Sequence, residues 1–183
     1  MMTKNRTRAL LAALAVMVSL QPLLSLGTIT TNMSVYVSQN FKTIKGDKYV
    51  ILPVEMKAAW LQKPENTNRR NMFENRNYEK LELALLNTGA TVLERQKIDR
   101  VIKEQGFSQT GLTEENAIAI GKLLNAHFVV FCTVIDFGVI GKNAITEIAI
   151  KAIYIQDGSI VWKGYLSGKI SDTTDDFSNS IME

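Results

Sequence analysis

The chain has one histidine and one cysteine among its 183 residues, and these two decide most of what it could do as a catalyst. Nucleophilic catalysis needs a nucleophile beside a base and a third group to orient that base. His127 and Cys132 lie five apart in a run, residues 127–137, whose β-branched and apolar content predicts a strand. Neighbouring positions on a strand face opposite sides, so two residues five apart diverge and no proton passes directly between them. Cys132 then reads as a small core hydrophobe and His127 as a ring at a helix-to-strand junction. A metal fares no better, because one His and one Cys on opposite faces leave only carboxylates, at no motif spacing. The pairs Glu114-Glu115 and Asp175-Asp176 lack a convergent partner, and no glycine-rich loop leads from a strand into a helix as a phosphate cradle requires. The expectation is a protein without catalytic residues, cofactor or metal, and a hydrolase is the weakest of the functional classes considered.

Binding chemistry is easier to find. Residues 56–71 are rich in Asn and charge and contain Pro64, and they join a strand to a helix. Such connections usually take about 2–6 residues, so this one is either mobile or functional. It carries Trp60 and Leu61 beside Lys63, Arg69 and Arg70, a composition favoured where proteins meet. These five residues are the candidate partner-binding set. An ordinary loop whose Trp60 folds back onto the sheet stays open as the alternative.

The elements that would hold this connector follow from periodicity. The continuously apolar core of residues 48–54 predicts a strand covered on both faces, with Pro53 at its end. Residues 72–86 predict a helix with Tyr78, Leu81 and Leu85 as its buried stripe, closed by Gly89. A short strand at 90–93, a helix at 96–105 ended by Gly106, and a helix capped by Thr113 and running through Leu124 come next. Strands at 127–137, 144–156 and 159–170 complete the domain, the last two joined at Asp157-Gly158, a dipeptide suited to positive φ in a tight hairpin. The order β-α-β-α-α-β-β-β predicts an α+β fold, α/β-like in its first half. Its mixed sheet has about five strands, ends in an antiparallel meander and packs about three helices mainly on one face. Residues 127–137 are apolar on both faces, so either the chain's own helices cover both or one face meets a partner or a second copy.

Charge and the N-terminus set the location. The formal net charge of +3 rests on Lys4, Arg6 and Arg8, since residues 1–27 contain no acidic residue; without them 18 basic residues face 18 acidic ones. A neutral chain lacks the electrostatic footprint of a general nucleic-acid binder. The basic start, the apolar run at 9–20 and a short exit with Ser25 and Gly27 form a secretory signal pattern, with cleavage between Gly27 and Thr28. Alternatively the apolar stretch extends to Leu26 and stays as an uncleaved anchor. No cysteine follows it, so no acyl anchor is expected. The resulting domain map is a signal peptide at 1–27, an extended arm or edge strand at 28–47, a folded domain at 48–170 and a polar tail at 171–183. Localisation is expected in the periplasm or at the periplasmic face of the outer membrane, with peripheral membrane association compatible with the sequence.

Several stretches together resemble the CsgG-like family of curli secretion and assembly proteins. They are Ile51-Leu52-Pro53, the helix end at 83–89, Val92-Leu93-Glu94-Arg95-Gln96, the helix ending in Glu104-Gln105, residues 120–126 around Gly121, Phe128-Val129-Val130 and the turn at Asp157-Gly158. Related modules are the activator lipoproteins of penicillin-binding proteins and the N-terminal domain of TolB. Physically, Glu94-Arg95 would hold a strand-to-helix turn, and Gly121 would let a helix approach the sheet closely. The resemblance implies a secreted accessory or assembly protein that binds envelope or secretion-assembly proteins, with homo-oligomerisation a further expectation. It differs from the channel members in lacking a lipidated cysteine and the long inserted hairpins, since a membrane strand takes about 9–11 residues. The alternative is a regulator of an envelope enzyme, resembling the penicillin-binding-protein activators.

Overall fold

The apolar run Tyr49-Val50-Ile51-Leu52 demands cover on both sides, and all four residues are buried. In the computed structural model, which describes residues 28–39, 41, 46–107, 111–140 and 143–171, this run builds β2 (Lys48–Ile51). Around it stand β1 (Thr28–Val37), β3 (Glu55–Met56), α1 (Thr67–Leu86), β4 (Thr91–Val92), α2 (Arg95–Glu104), α3 (Glu114–Leu123), β5 (Phe128–Ile140), β6 (Asn143–Tyr154) and β7 (Ile160–Ser171). The expected signal peptide at 1–27 and the tail beyond Ser171 lie outside the described residues.

The strands form one seven-stranded mixed sheet in the order β1-β7-β6-β5-β2-β4, with β3 also paired to β5. On one side of β5, Tyr49–Ile51 runs parallel to Phe128–Val130 and Glu55–Met56 parallel to Thr133–Val134; on the other side β6, β7 and β1 follow antiparallel. Pro53 accounts for the break between β2 and β3, because it has no N–H to continue a ladder. The Leu52 N–H makes the last bond before it, to the Val130 carbonyl at 3.0 Å. The fold is α+β with a mixed sheet. Two strands add to the expected five: residues 28–37 are an edge strand rather than a free arm, and the chain rejoins the sheet just after Pro53.

The helices cover both faces, not mainly one. α1 buries Tyr78, Leu81 and Leu85 against Tyr49, Ile51 and Val130, while α2 and α3 bury Ile98, Ile102 and Ile120 against Val50, Leu52 and Val129 on the opposite side. β5 therefore finds both of its apolar covers within its own chain, and the argument that one face of it must meet a partner falls away. α1 also begins at Thr67 rather than at 72. The Asn- and Arg-rich residues that read as connector are the solvent-facing first turns of that helix. α3 starts as its sequence predicts, with the Thr113 hydroxyl accepting the Asn116 N–H at 3.2 Å. Among the described residues no helix is long and apolar enough to cross a membrane.

Candidate protein-binding site

A bulge in β5 builds the site. Its register against β6 slips between Val134 and Asp136, and an extra residue turns everything after it to the opposite face. Simple alternation puts Phe137 on the face of Phe131; the bulge instead brings it to the α1 side. There its ring meets Trp60 at 5.5 Å between centroids and Phe73 of α1 at 4.3 Å. Phe73 and Phe137 belong to the site and are not recognisable in the sequence, because only the bulge assembles them with Trp60.

The connector is folded along its length. After β3, the Lys57 and Ala58 N–H groups both donate to the Val134 carbonyl, at 2.8 and 3.2 Å. A 3-10 turn at Ala59–Gln62 follows, with the Gln62 side-chain amide donating to the Met56 carbonyl. A second at Pro64–Asn66 runs straight into α1. Pro64 sits at the start of that turn, where a missing N–H costs least. Buried Asn66 donates through its side-chain amide to the Trp60 carbonyl at 2.8 Å, tying the two turns together.

Leu61 is not available to a partner. It is 1% exposed and belongs to the core on the α1 face. An apolar side chain in the middle of a one-turn helix packed on a sheet is drawn inward, and it anchors the connector instead. Trp60 is half-buried, resting on Phe137 with the Arg69 guanidinium 5.5 Å from its ring centroid. Arg69 also donates to Asn66 Oδ1 at 3.4 Å, a long bond. Lys63 is exposed and Arg70 half-buried, and among the described residues neither has an ion-pair partner. Met72, 44% exposed, extends the surface along α1. The geometry joins Trp60 to Arg69 directly, with Lys63 and Arg70 flanking them along the chain. Such a surface can stack on an aromatic or aliphatic side chain and pair with carboxylates.

The sequence-singled pair Glu94-Arg95 divides its work unequally. Arg95 reaches from the first turn of α2 back to α1, donating to Glu74 Oε1 at 2.6 Å and to Asn75 Oδ1 at 2.8 Å, with its guanidinium 4.8 Å from the Tyr78 ring centroid. Glu94 is exposed; its carbonyl accepts the Lys97 and Ile98 N–H groups at the start of α2, and its carboxylate forms an i,i+3 pair with Lys97 at 3.7 Å. Glu104 is exposed on the last turn of α2. The Gln105 N–H caps that helix onto the Val101 carbonyl at 3.0 Å, and Gly106 leaves it at φ 68°. Gly121 is pressed onto the sheet. A Cβ there would stand 2.3 Å from Ile155 Cδ1 and 2.8 Å from Val129 Cγ2. Gly158 takes φ 75°, and the Asp157 carboxylate accepts the Ser159 N–H at 2.9 Å. Hydrogen bonds from the Ser159 side chain and then its backbone hold that carboxyl below the usual aspartate range. The connection between β6 and β7 is longer than a two-residue hairpin, running from residue 155 to 159.

His127 and Cys132 stay apart in environment. The His127 ring is half-exposed, with Nδ1 3.1 Å from Asp47 Oδ1 and 3.3 Å from the Lys48 N–H, so it ties the start of β5 to the start of β2. Cys132 is fully buried, which pushes its thiol up to about 12 and keeps it protonated at neutral pH. Among the described residues no three His, Cys, Asp or Glu side chains gather as metal ligands.

Comparison with known proteins fits this scaffold. Residues 74–144 match the family model of CsgG, the curli production assembly/transport component. The fold is similar to the LpoB C-terminal domain from Salmonella enterica, with a TM-score of 0.53 at 15% identity over 87% of this chain and 96% of that one. It is also similar to lipoprotein GNA1162 from Neisseria meningitidis, with a TM-score of 0.51 at 10% identity over 74% and 92%. At such identities the likeness is one of fold. No curated protein matches the sequence. The CsgG-like stretch runs from the middle of α1 to the start of β6 and contains Arg95, Gln105 and Gly121. It leaves Trp60, Lys63, Arg69, Arg70 and all of β1 outside, while Phe137 lies within it.

Proposed function

We propose that this is an exported, non-enzymatic accessory protein of the cell envelope that serves assembly or secretion by binding other envelope proteins, without a transmembrane pore of its own. The observation that carries this reading is the CsgG match over residues 74–144. The Trp60–Arg69 surface supports it, because a half-buried aromatic cluster beside the Arg69 guanidinium suits a partner segment with acidic and apolar side chains. The buried, protonated Cys132 and the half-exposed structural His127 speak against nucleophilic chemistry. The protein acts in the periplasm or at the periplasmic face of the outer membrane.

The test is capture from envelope extract by the tagged chain, compared with a Lys63→Glu, Arg70→Glu double variant. Lys63 is exposed, Arg70 is half-buried, and neither belongs to the buried core, so the variant should keep its melting temperature. Recovery of curli-type subunits or of a secretion channel, lost at least tenfold in the double variant, is the expected result. Capture of a peptidoglycan synthase alone would replace this reading with that of an enzyme regulator, and undiminished capture by the variant would move the binding site elsewhere.

A further inference from the structure

Among the described residues β1 is a sheet edge with no strand paired on its outer side. Its ten residues, Thr-Ile-Thr-Thr-Asn-Met-Ser-Val-Tyr-Val, carry no charge and no proline, and they pair with β7 without a break from Thr28↔Ser171 to Val37↔Trp162. Proteins usually blunt a long edge with a lysine, a proline, a bulge or a cover, because unpaired N–H and C=O groups recruit another strand. β1 has none of the first three. The opposite edge, β4, is blunted by length, being two residues long.

The unpaired groups can be assigned. The Ser38 N–H donates to the Val161 carbonyl at 2.8 Å, in register with Val37↔Trp162. Bonding directions alternate along an antiparallel ladder. The even positions of β1 therefore turn their backbone toward β7, while Ile29, Thr31, Met33, Val35 and Val37 point theirs outward. The side chains of Met33 and Val35 share one sheet face with that of Leu166, which pairs with Met33 across the ladder. Met33 is 46% exposed.

We propose that two copies of this chain join edge to edge through β1, antiparallel and two-fold symmetric about Met33. This goes beyond the accessory role and stands without it, because it needs no other protein. A two-fold through Met33 brings the outward backbone of Thr31 opposite that of Val35 of the second copy and Ile29 opposite Val37, so all five outward residues find partners at once. Met33 meets its own counterpart, and the apolar face continues across the junction. A head-to-tail contact of β1 with β4 of another copy would pair only two residues, so the closed dimer is preferred over a filament. The uncharged strand opposes the approach with no like-charge contact in the new ladder. One strand pair with its flanking side chains falls toward the small end of stable interfaces, which total about 1,600 Å², so the dimer should be concentration-dependent.

Sedimentation velocity of the purified chain over a wide concentration series reads this out. The mass should rise from one chain toward two and stop there. Met33→Pro removes an outward N–H while sparing the ladder to β7, and Met33→Lys sets two ammonium groups against each other at the axis. Both should leave a monomer, with a native circular dichroism spectrum for at least the lysine variant. Under mild oxidation Met33→Cys should cross-link, since directly opposed residues lie about 5.5 Å apart between Cα atoms, within disulfide range. Thr31→Cys should not, its counterparts being about 14 Å apart along the strands. A wild-type chain that stays monomeric, a dimer that survives Met33→Lys, or efficient cross-linking through Thr31→Cys would overturn the proposal. Trp60→Ala should leave the dimer intact, and its loss in that variant would assign self-association to the connector instead.

Discussion

At Gly121 a single hydrogen atom decides whether α3 can lie on the sheet. A methyl group there would stand 2.3 Å from Ile155 Cδ1 and 2.8 Å from Val129 Cγ2, and both belong to buried core side chains. Gly121→Ala should cost about 1–3 kcal/mol by overpacking, even though alanine is the better helix former. Equilibrium denaturation would measure this, and Ile155→Val in the same chain, which removes the nearer obstacle, should restore part of the loss. A gain in stability on Gly121→Ala would show that the helix simply shifts. Cys132, Tyr78 and Tyr49 make a second expectation, for alkaline pH. Burial raises the Cys132 thiol from 9.0 to about 12 and the Tyr78 hydroxyl from 10.0 to about 12, and it also raises Tyr49, reinforced by the Asp47 charge. The native state therefore keeps protons that the unfolded chain releases. The associated stability is intact below about pH 9 and drains away as pH rises toward 12. The denaturation midpoint should fall from about pH 9 in the native sequence and only from about pH 10 in Cys132→Ala, which leaves the tyrosines to titrate. Equal slopes in the two proteins between pH 9 and 10 would refute the assignment to the thiol.

Elements show where sequence patterns suffice and where they do not. The apolar run of β2, the stripe of α1, the Thr113 cap and the glycine stops at Gly89 and Gly106 are local facts, and each sits where periodicity and capping put it. The start of α1 is hidden because its first turns are polar and are tied to the connector, through Thr67 to the Pro64 carbonyl and Arg69 to Asn66 and Trp60. The site itself was legible only in part. Trp60 with its flanking cations stands out in composition, but its packing partners Phe73 and Phe137 depend on one bulged residue in β5, and alternation without that bulge assigns Phe137 to the wrong face. Leu61 looked like an anchor for a partner and is an anchor for the connector, a distinction made by burial alone. Glu94 and Arg95 differ for a similar reason. The two-pronged bond of Arg95 to Glu74 and Asn75 ties α2 to α1, so Arg95→Ala should cost about 1–3 kcal/mol and Arg95→Lys nearly as much, since an ammonium cannot reproduce the fork. Glu94→Ala, on an exposed residue, should stay within about 0.5 kcal/mol. Urea unfolding of the three variants tests this, and a full rescue by lysine would reduce the contact to simple charge.

For the molecule as a whole, two cores on one sheet make a self-sufficient domain, which shifts the demand for partners from its interior to its edges and connector. That in turn makes location decisive, because an assembly surface works only where its partners are. The case for export rests on charge as much as on hydropathy. Every uncompensated positive charge of the chain lies in Lys4, Arg6 and Arg8, ahead of an apolar run of about 18 Å if helical, too short for a bilayer core of about 30 Å. With Ser25 and Gly27 at the −3 and −1 positions, we propose cleavage at the bond before Thr28, where β1 begins. Protein recovered from the periplasm should begin at Thr28 by N-terminal sequencing. It should also be retained poorly on a cation exchanger at neutral pH, since the 18 basic and 18 acidic residues that remain balance. Gly27→Leu should block processing and leave the chain in the membrane fraction with its basic start intact. A wild-type chain that keeps Met1 or Met2 and fractionates with the inner membrane would turn the leader into an anchor, and β1 would then stand directly at the membrane surface.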